Sequence, residues 1–260
     1  MKIKNYFLAT AIVLGVLVSL SFRANKNKPT LYIIGDSTVK NGSGKGSDSL
    51  WGWGSFISNY IDTTKINIEN HAIGGRSSRT FLTEGRWDKI LTTLKKGDYV
   101  IMQFGHNDGG PLDDNSRARG TLQGVGNDST QIYNPIRKVQ EVVHSYGWYM
   151  RKYANEAKAK GATVIICSPI PRNDFTEEGK INKDKYAAWA KEVATQTGSY
   201  FIPLNDLIIE RYEKDGAAAI KGYFPTDHTH TNKAGAQLNA QIVVKGIEQL
   251  KECGLTKFTK

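Results

Sequence analysis

Five short runs of apolar and β-branched residues recur along the chain, with room for a helix between most of them. Each run is nearly continuous in hydrophobicity, which is typical of strands buried on both faces of a parallel sheet. Amphipathic stretches over residues 137–160, 183–196 and 232–251 predict helices, and a doubly wound α/β domain follows from the alternation. The predicted strands cover residues 31–34, 66–68, 99–104, 162–167 and 200–204.

The first 21 residues have the layout of a signal peptide. Two lysines precede an uncharged run over residues 6–20, and Ser19 and Ser21 supply the small side chains of a cleavage signal. The run is shorter than the roughly 20 residues of a bilayer span, although an uncleaved anchor is the alternative. We expect cleavage after Ser21, export to the periplasm or the medium, and one catalytic domain over residues 29–260.

Composition excludes several classes of protein. The 260 residues are 39% hydrophobic and 23% charged, so the chain is neither disordered nor a multi-span membrane protein. Its two cysteines, Cys167 and Cys253, are too few for a disulfide framework or a thiolate zinc site.

The net charge is +10, and loss of Lys2 and Lys4 with the leader would leave +8. A basic exported domain attracts polyanions, which outside the cytoplasm means acidic polysaccharide, anionic lipid or cell-wall polymer more than nucleic acid. A charge that serves only solubility is the alternative. We expect no nucleic-acid partner, no stable insertion in a membrane after cleavage, and a monomer.

Four polar segments come directly after predicted strands or before the last helix. They cover residues 35–38, 70–78, 105–108 and 226–231. Ligands of doubly wound sheets bind beyond the carboxyl ends of the strands, so these segments are expected to converge at one edge.

The convergent segments hold the groups that acyl transfer requires. Ser37 follows a strand and a glycine, where its hydroxyl is presented as a nucleophile; a turn-forming or helix-capping serine is the alternative. Asp227 and His230 are three residues apart in a turn, which suits a carboxylate that orients a general base. His228 competes as the base, and metal binding by His228 and His230 is a further alternative, without additional ligands at suitable spacing.

Oxyanion donors are also available at the predicted edge. Gly75 offers a backbone N–H and Asn107 a side-chain amide, alongside the N–H of Ser37. In isolation, Gly75 and Asn107 are also ordinary turn residues.

Together these segments resemble the sequence blocks of the SGNH (GDSL-like) hydrolase superfamily, and in particular its rhamnogalacturonan acetylesterase branch. The resemblance covers about residues 29–250. It is carried by Gly35-Asp36-Ser37-Thr38, Gly52-Trp53-Gly54, residues 72–78, Gly105-His106-Asn107-Asp108, residues 141–153 and residues 227–231.

The resemblance implies a flavodoxin-like, three-layer α/β/α fold with a five-stranded parallel sheet, and no metal or organic cofactor. It makes Ser37 the nucleophile, Asp227 and His230 the rest of a triad, and Ser37, Gly75 and Asn107 the oxyanion hole. The implied activity is removal of acetyl groups from rhamnogalacturonan. An esterase for acetylated xylan or another exported glycan, and a carbohydrate-binding protein without catalysis, are the alternatives.

Substrate contacts are expected from Arg76, Arg79 and Trp53. The two arginines lie beside Gly75 in sequence and suit a uronate carboxylate, although pairing with an acid inside the fold is equally open. Residues 109–135 have little periodicity and are expected to form a rim or lid that presents Arg117 and Arg119.

Overall fold

Five parallel strands form the central sheet of the chain, which a computed structural model describes over residues 28–260. The predicted signal peptide lies outside the described residues. The strands of this sheet are β1 (Thr30–Gly35), β2 (Asn67–Asn70), β3 (Tyr99–Gln103), β6 (Thr163–Cys167) and β7 (Tyr200–Ile202). A separate hairpin consists of β4 (Ser129–Asn134) and β5 (Val139–His144).

The spatial order of the sheet is β2-β1-β3-β6-β7. Counting only its own strands, this is the order 2-1-3-4-5 of flavodoxin-like folds, in which β1 and β3 are neighbours at the point where the winding direction reverses. Ile33 of β1 pairs with Asn70 of β2 on one side and Ile101 of β3 on the other. The three-layer α/β fold and the parallel five-stranded sheet expected from the sequence are therefore confirmed.

Helices cover both faces of the sheet. Alternate strand residues point to opposite faces, so Ile33 and Ile101 pack with one hydrophobic cluster, whereas Ile34 and Met102 pack with the other. The helices are α1 (Ser78–Thr83), α2 (Arg86–Thr93), α3 (Tyr146–Ala159), α4 (Lys185–Thr197), α5 (Leu204–Asp215), α6 (Ala217–Lys221) and α7 (Lys233–Gln249). The first cluster receives side chains of α5, α6 and α7, and the second receives side chains of α1 to α4.

The predicted helix over residues 137–160 is wrong in its first third. Val139–His144 forms β5, which pairs antiparallel with β4, and the helix begins only at Tyr146. Val143 is buried and its neighbour Val142 is 45% exposed, which is the alternation of a strand with one covered face. The side chain of Ser145 accepts a hydrogen bond from the N–H of Trp148, and this cap sets the start of α3.

Both cysteines are buried free thiols, and burial raises their pKa values. Over residues 28–260, no helix has the length and apolar content needed to cross a bilayer.

Candidate active site

The turn after β1 presents Ser37 at the carboxyl edge of the sheet. Gly35 is required there because a Cβ atom would lie 2.5 Å from Val39 Cγ2 and 2.6 Å from the carbonyl oxygen of Gln103 on β3. The carboxylate of Asp36 is buried and accepts hydrogen bonds from the N–H (2.9 Å) and hydroxyl (2.7 Å) of Thr38. The chain therefore bends sharply between β1 and Ser37.

His106, which follows β3, braces this turn from the adjacent strand. Its Nδ1 lies 3.3 Å from Asp36 Oδ2 and its Nε2 lies 3.0 Å from the carbonyl oxygen of Ile170. Burial favours the neutral form of Asp36, but the charge and hydrogen bond of His106 and the bonds from Thr38 outweigh it, so the pKa of Asp36 is lowered. Asp36 is thus an ionised brace of the turn.

The loop before α7 places a carboxylate, an imidazole and the Ser37 hydroxyl in one line. Asp227 Oδ1 accepts hydrogen bonds from the backbone N–H of Thr229 (2.7 Å) and of His230 (2.8 Å), so the carboxylate itself closes the turn. Its Oδ2 lies 2.7 Å from His230 Nδ1, and His230 Nε2 lies 2.8 Å from Ser37 Oγ. Because a carboxylate only accepts, Nδ1 carries the hydrogen and Nε2 faces the hydroxyl.

The hydrogen bonds of Asp227 keep its carboxylate ionised. Burial raises the pKa of this group, but the bonds from His230 and Thr229 and the charge of His230 lower it by more, so the net shift is downward. The ionised carboxylate holds one ring orientation of His230.

His228 faces away from Ser37. Its Nδ1 lies 2.6 Å from Asp174 Oδ1, and its Nε2 lies 3.4 Å from a guanidinium nitrogen of Arg172. Of the two imidazoles in this loop, only His230 is placed against the hydroxyl. Over residues 28–260 there is no cluster of three or more His, Cys, Asp or Glu side chains with metal-binding geometry.

Three possible donors surround the Ser37 hydroxyl. Gly75 has a φ of +79°, a conformation that favours glycine, and lines the same cleft as Ser37. Within the described part of the chain, no hydrogen bond occupies the backbone N–H of Ser37 or of Gly75. The amide of Asn107 donates one hydrogen to the carbonyl of Arg76 at 2.9 Å, which fixes the side chain and leaves its second hydrogen for a ligand.

A cleft of about 680 Å³ opens above these groups and is rich in arginine. Arg76, Arg117, Arg119 and Arg172 line it, against a single acid, Glu84. Glu84 already accepts from Arg76 Nε at 3.1 Å and from Arg86 Nε at 2.6 Å, so its charge is neutralised locally. Over residues 28–260, Arg117, Arg119 and Arg172 lie within 4 Å of no carboxylate. The cleft therefore attracts anions.

Two of the three expected substrate contacts are contradicted by burial, since Arg79 and Trp53 are both 0% exposed. Arg79 Nε donates to Glu141 at 2.8 Å, and its Nη1 donates to the carbonyls of Leu112 and Gly120. These bonds fasten the 109–120 segment to α1 and the hairpin.

The indole of Trp53 also acts inside the protein. Its Nε1 donates to Gln103 Oε1 at 2.9 Å, and Gln103 in turn donates to the Thr38 hydroxyl at 2.6 Å. Trp53 thus supports the Ser37 turn from below. Arg76, the third predicted contact, does line the cleft, with Nη1 bound to the carbonyl of Gly74 at 3.0 Å.

The segment over residues 109–135 is partly a strand, β4, and its loop portion contributes to the wall of the cleft. Ser116, Arg117 and Arg119 line the cleft, as does Ile136 at the tip of the hairpin. Arg119 donates to the carbonyl of Gly75 at 3.2 Å. The loop portion of this segment therefore lies at the rim of the cleft.

Arg172 was missed by the sequence reasoning, although a signal was present. It follows β6 by five residues, so it obeys the same rule on strand ends that pointed to the other segments. Its Nη1 donates to the Thr229 hydroxyl at 2.5 Å, and its Nη2 lies 3.5 Å from the carbonyl oxygen of His106. Arg172 joins the loop of His230 to the loop of Asn107 and adds a positive charge to the cleft.

Asp108 is a buried carboxyl directly behind Asn107. Its Oδ1 accepts from the N–H (3.1 Å) and hydroxyl of Ser78, and its Oδ2 has no partner among the described residues. Burial raises the pKa of Asp108 to about 7, against the lowering effect of the bonds from Ser78. The folded state therefore holds a proton that the unfolded chain releases near pH 3.8.

Asp108→Asn is expected to change how stability depends on pH. In the wild type, the raised pKa of Asp108 makes its contribution to the free energy of unfolding fall as pH rises from about 3.8 to about 7. Above that pH the contribution is constant. The variant keeps an oxygen acceptor for Ser78 but has no proton to lose. Its free energy of unfolding therefore rises relative to that of the wild type as pH increases over this interval. Urea unfolding at several pH values measures the difference. The exposed Asp113→Asn serves as control, and a variant curve parallel to that of the wild type would refute the assignment.

Comparison with known proteins gives relatives over most of the chain. The sequence profile of the GDSL-like lipase/acylhydrolase family matches residues 33–238. Rhamnogalacturonan acetylesterase of Emericella nidulans is 34% identical over 234 residues, which are 89% of each chain. Protein YxiM of Bacillus subtilis has a similar structure, with a TM-score of 0.70 and 29% identity; the match covers 86% of this chain and 57% of that protein. Axe2, an acetylxylan esterase of Geobacillus stearothermophilus, shares the fold with a TM-score of 0.58 and 19% identity, over 84% of this chain and 94% of Axe2.

The family match and the fungal relative define the class as carboxylic ester hydrolases. The chain belongs to the GDSL-like lipase/acylhydrolase family.

Proposed function

We propose that the protein is an exported acetylesterase that removes acetyl groups from rhamnogalacturonan, the acidic backbone of pectin. The observation that carries the proposal is the hydrogen-bonded line from Asp227 through His230 to Ser37, which opens into a cleft with four arginines. A serine hydrolase with such a cleft favours an ester on an anionic polymer. The fungal relative that bears the name rhamnogalacturonan acetylesterase supports the same substrate.

In the proposed mechanism, Ser37 Oγ attacks the acetyl carbonyl carbon while His230 Nε2 takes the hydroxyl proton. The carboxylate of Asp227 stabilises the imidazolium that forms. The N–H groups of Ser37 and Gly75 and the amide of Asn107 donate to the oxyanion. The protonated His230 then gives its proton to the sugar oxygen, which leaves as a hydroxyl and breaks the ester bond.

Water completes the cycle. His230 Nε2 takes a proton from a water molecule, whose oxygen attacks the acetyl group on Ser37. Collapse of the second tetrahedral intermediate breaks the bond to Ser37 Oγ, which regains its proton from His230. Acetic acid departs and loses its proton to the solvent as acetate. The uronate carboxylates of the polymer are unchanged by this reaction, so arginines of the cleft hold the chain before and after deacetylation.

Acetate release from acetylated rhamnogalacturonan and acetylated xylan, measured side by side at low and moderate salt, tests the substrate. We expect the acidic polymer to be preferred and the preference to shrink with salt, because exposed charges are screened. Arg117→Gln is expected to weaken this preference, whereas Lys191→Gln, an exposed charge on α4 outside the cleft, is not. If the preference is equal or reversed, the assignment as an esterase stands, but the substrate is xylan or another glycan and not rhamnogalacturonan. Glycan binding without acetate release would instead favour a binding protein.

A further inference from the structure

A second polar pocket lies beside the cleft, on the other side of the loop over residues 40–44. We call it the Lys40 pocket; its volume is about 470 Å³, within the range of small-ligand sites. Asn41 lines the catalytic cleft, whereas Lys40 and Ser43 line the Lys40 pocket, so one short loop separates the two.

The lining of the Lys40 pocket is unusually hydrophilic. Hydroxyl and amide groups come from Ser43, Ser55, Ser58, Thr63, Asn67 and Asn70. Ser43, Ser58, Thr63 and Asn67 are exposed, so the pocket presents accessible hydroxyl and amide groups. Such a lining suits a ligand with hydroxyl or carboxyl oxygens.

The pocket also holds a positive charge without a neutralising partner. Lys40 Nζ donates to the backbone carbonyl of Asn70 at 2.6 Å, which leaves two of its three hydrogens for a ligand. None of the described residues that line the pocket is acidic. Burial lowers the pKa of Lys40, with a smaller effect from the charge of Arg86. An anionic ligand would offset that cost.

We propose that the Lys40 pocket binds an acidic sugar further along the glycan chain whose acetylated residue occupies the catalytic cleft. The ammonium of Lys40 pairs with the uronate carboxylate, and the exposed side chains of Ser58 and Asn67 bind its hydroxyl oxygens. This inference rests on the proposed function, and it makes long acidic chains better ligands than fragments that fill only the cleft.

The binding test uses galacturonate-containing oligosaccharides of increasing length and the Ser37→Ala protein, which keeps the cleft without turnover. Calorimetric titration is expected to give tighter binding with length, and Lys40→Gln on this background is expected to weaken binding of the long oligomer about five- to tenfold. Binding of the shortest fragments should not change. Ser58→Ala removes an exposed pocket hydroxyl without altering charge and should act in the same direction. Lys45→Gln, an exposed lysine of the same loop region outside either lining, is the matched control.

Kinetics separate this inference from the proposed function. Lys40→Gln in the active enzyme should raise KM for the polymer while kcat for the polymer and the hydrolysis of an aryl acetate stay within about twofold of the wild type. If Lys40→Gln and Lys45→Gln bind the long oligomer equally well, the pocket assignment is wrong and the acetylesterase stands. If the Ser37→Ala protein with Lys40 intact binds no acidic oligomer of any length, the pectic substrate and the pocket assignment both fail.

Discussion

Ser37→Ala is expected to lower kcat for acetate release by about 10⁵–10⁶-fold, as loss of the nucleophile does in serine hydrolases. The Oγ atom is the one that lies 2.8 Å from His230 Nε2, and no other hydroxyl is hydrogen-bonded to that nitrogen within residues 28–260. Acetate release from acetylated glycan and hydrolysis of an aryl acetate both measure the loss.

Folding is the control for this result. Ser37 is 7% exposed, and removal of one oxygen there leaves the bonds of Asp36 and Thr38 that shape the turn. The unfolding midpoint should therefore match that of the wild type closely. Activity of the purified variant within tenfold of the wild type, free of contaminating esterase, would show that another group performs the attack.

The centre of the sheet was predictable because β1, β3 and β6 are buried on both faces. Apolar runs identified all five strands, and every predicted end lies within two residues of the observed one. The second strand was the least accurate, since Asn67–Asn70 alternates and lies at the edge of the sheet. Its pairing partner, β1, decides where it begins and ends, and a partner is not visible in the local pattern.

The hairpin and the short helices were not predictable in the same way. Residues 137–144 run into a helical stretch without a strong helix breaker, so the sequence pattern predicts a longer helix there. The pairing of β5 with β4, in which Thr130 lies opposite Val143, makes this segment a strand instead. Short elements depend on such tertiary contacts more than on propensity.

The convergence of the site was predictable, whereas side-chain burial was not. Because the carboxyl ends of parallel strands meet at one edge of the sheet, the sequence predicts that Ser37, Asn107 and the 226–231 segment lie close together. Arg79 and Arg76 lie three residues apart in sequence, yet α1 turns Arg79 toward Glu141 and leaves Arg76 at the cleft. The acid that holds Arg79 inside the fold is 62 residues away in sequence, so the local pattern does not reveal the pairing.

His230→Ala and His228→Ala are expected to differ by several orders of magnitude in kcat for acetate release. His230 links Asp227 to Ser37 through contacts of 2.7 and 2.8 Å, so its loss removes the base and costs about 10⁴–10⁶-fold. His228 pairs with Asp174 and lies beside Arg172. We expect its loss to lower kcat by less than about tenfold, through a small shift of the loop.

The pair of variants is its own control, because both remove an imidazole from the same turn and leave Asp227 in place. His228 and His230 are two residues apart, so a general loosening of the loop would lower both activities together. Only a base in contact with Ser37 gives a large loss at one position and a small loss at the other. A larger loss at His228 than at His230 would overturn the choice of base, and it would require the loop to rearrange by several ångströms so that His228 reaches the Ser37 hydroxyl.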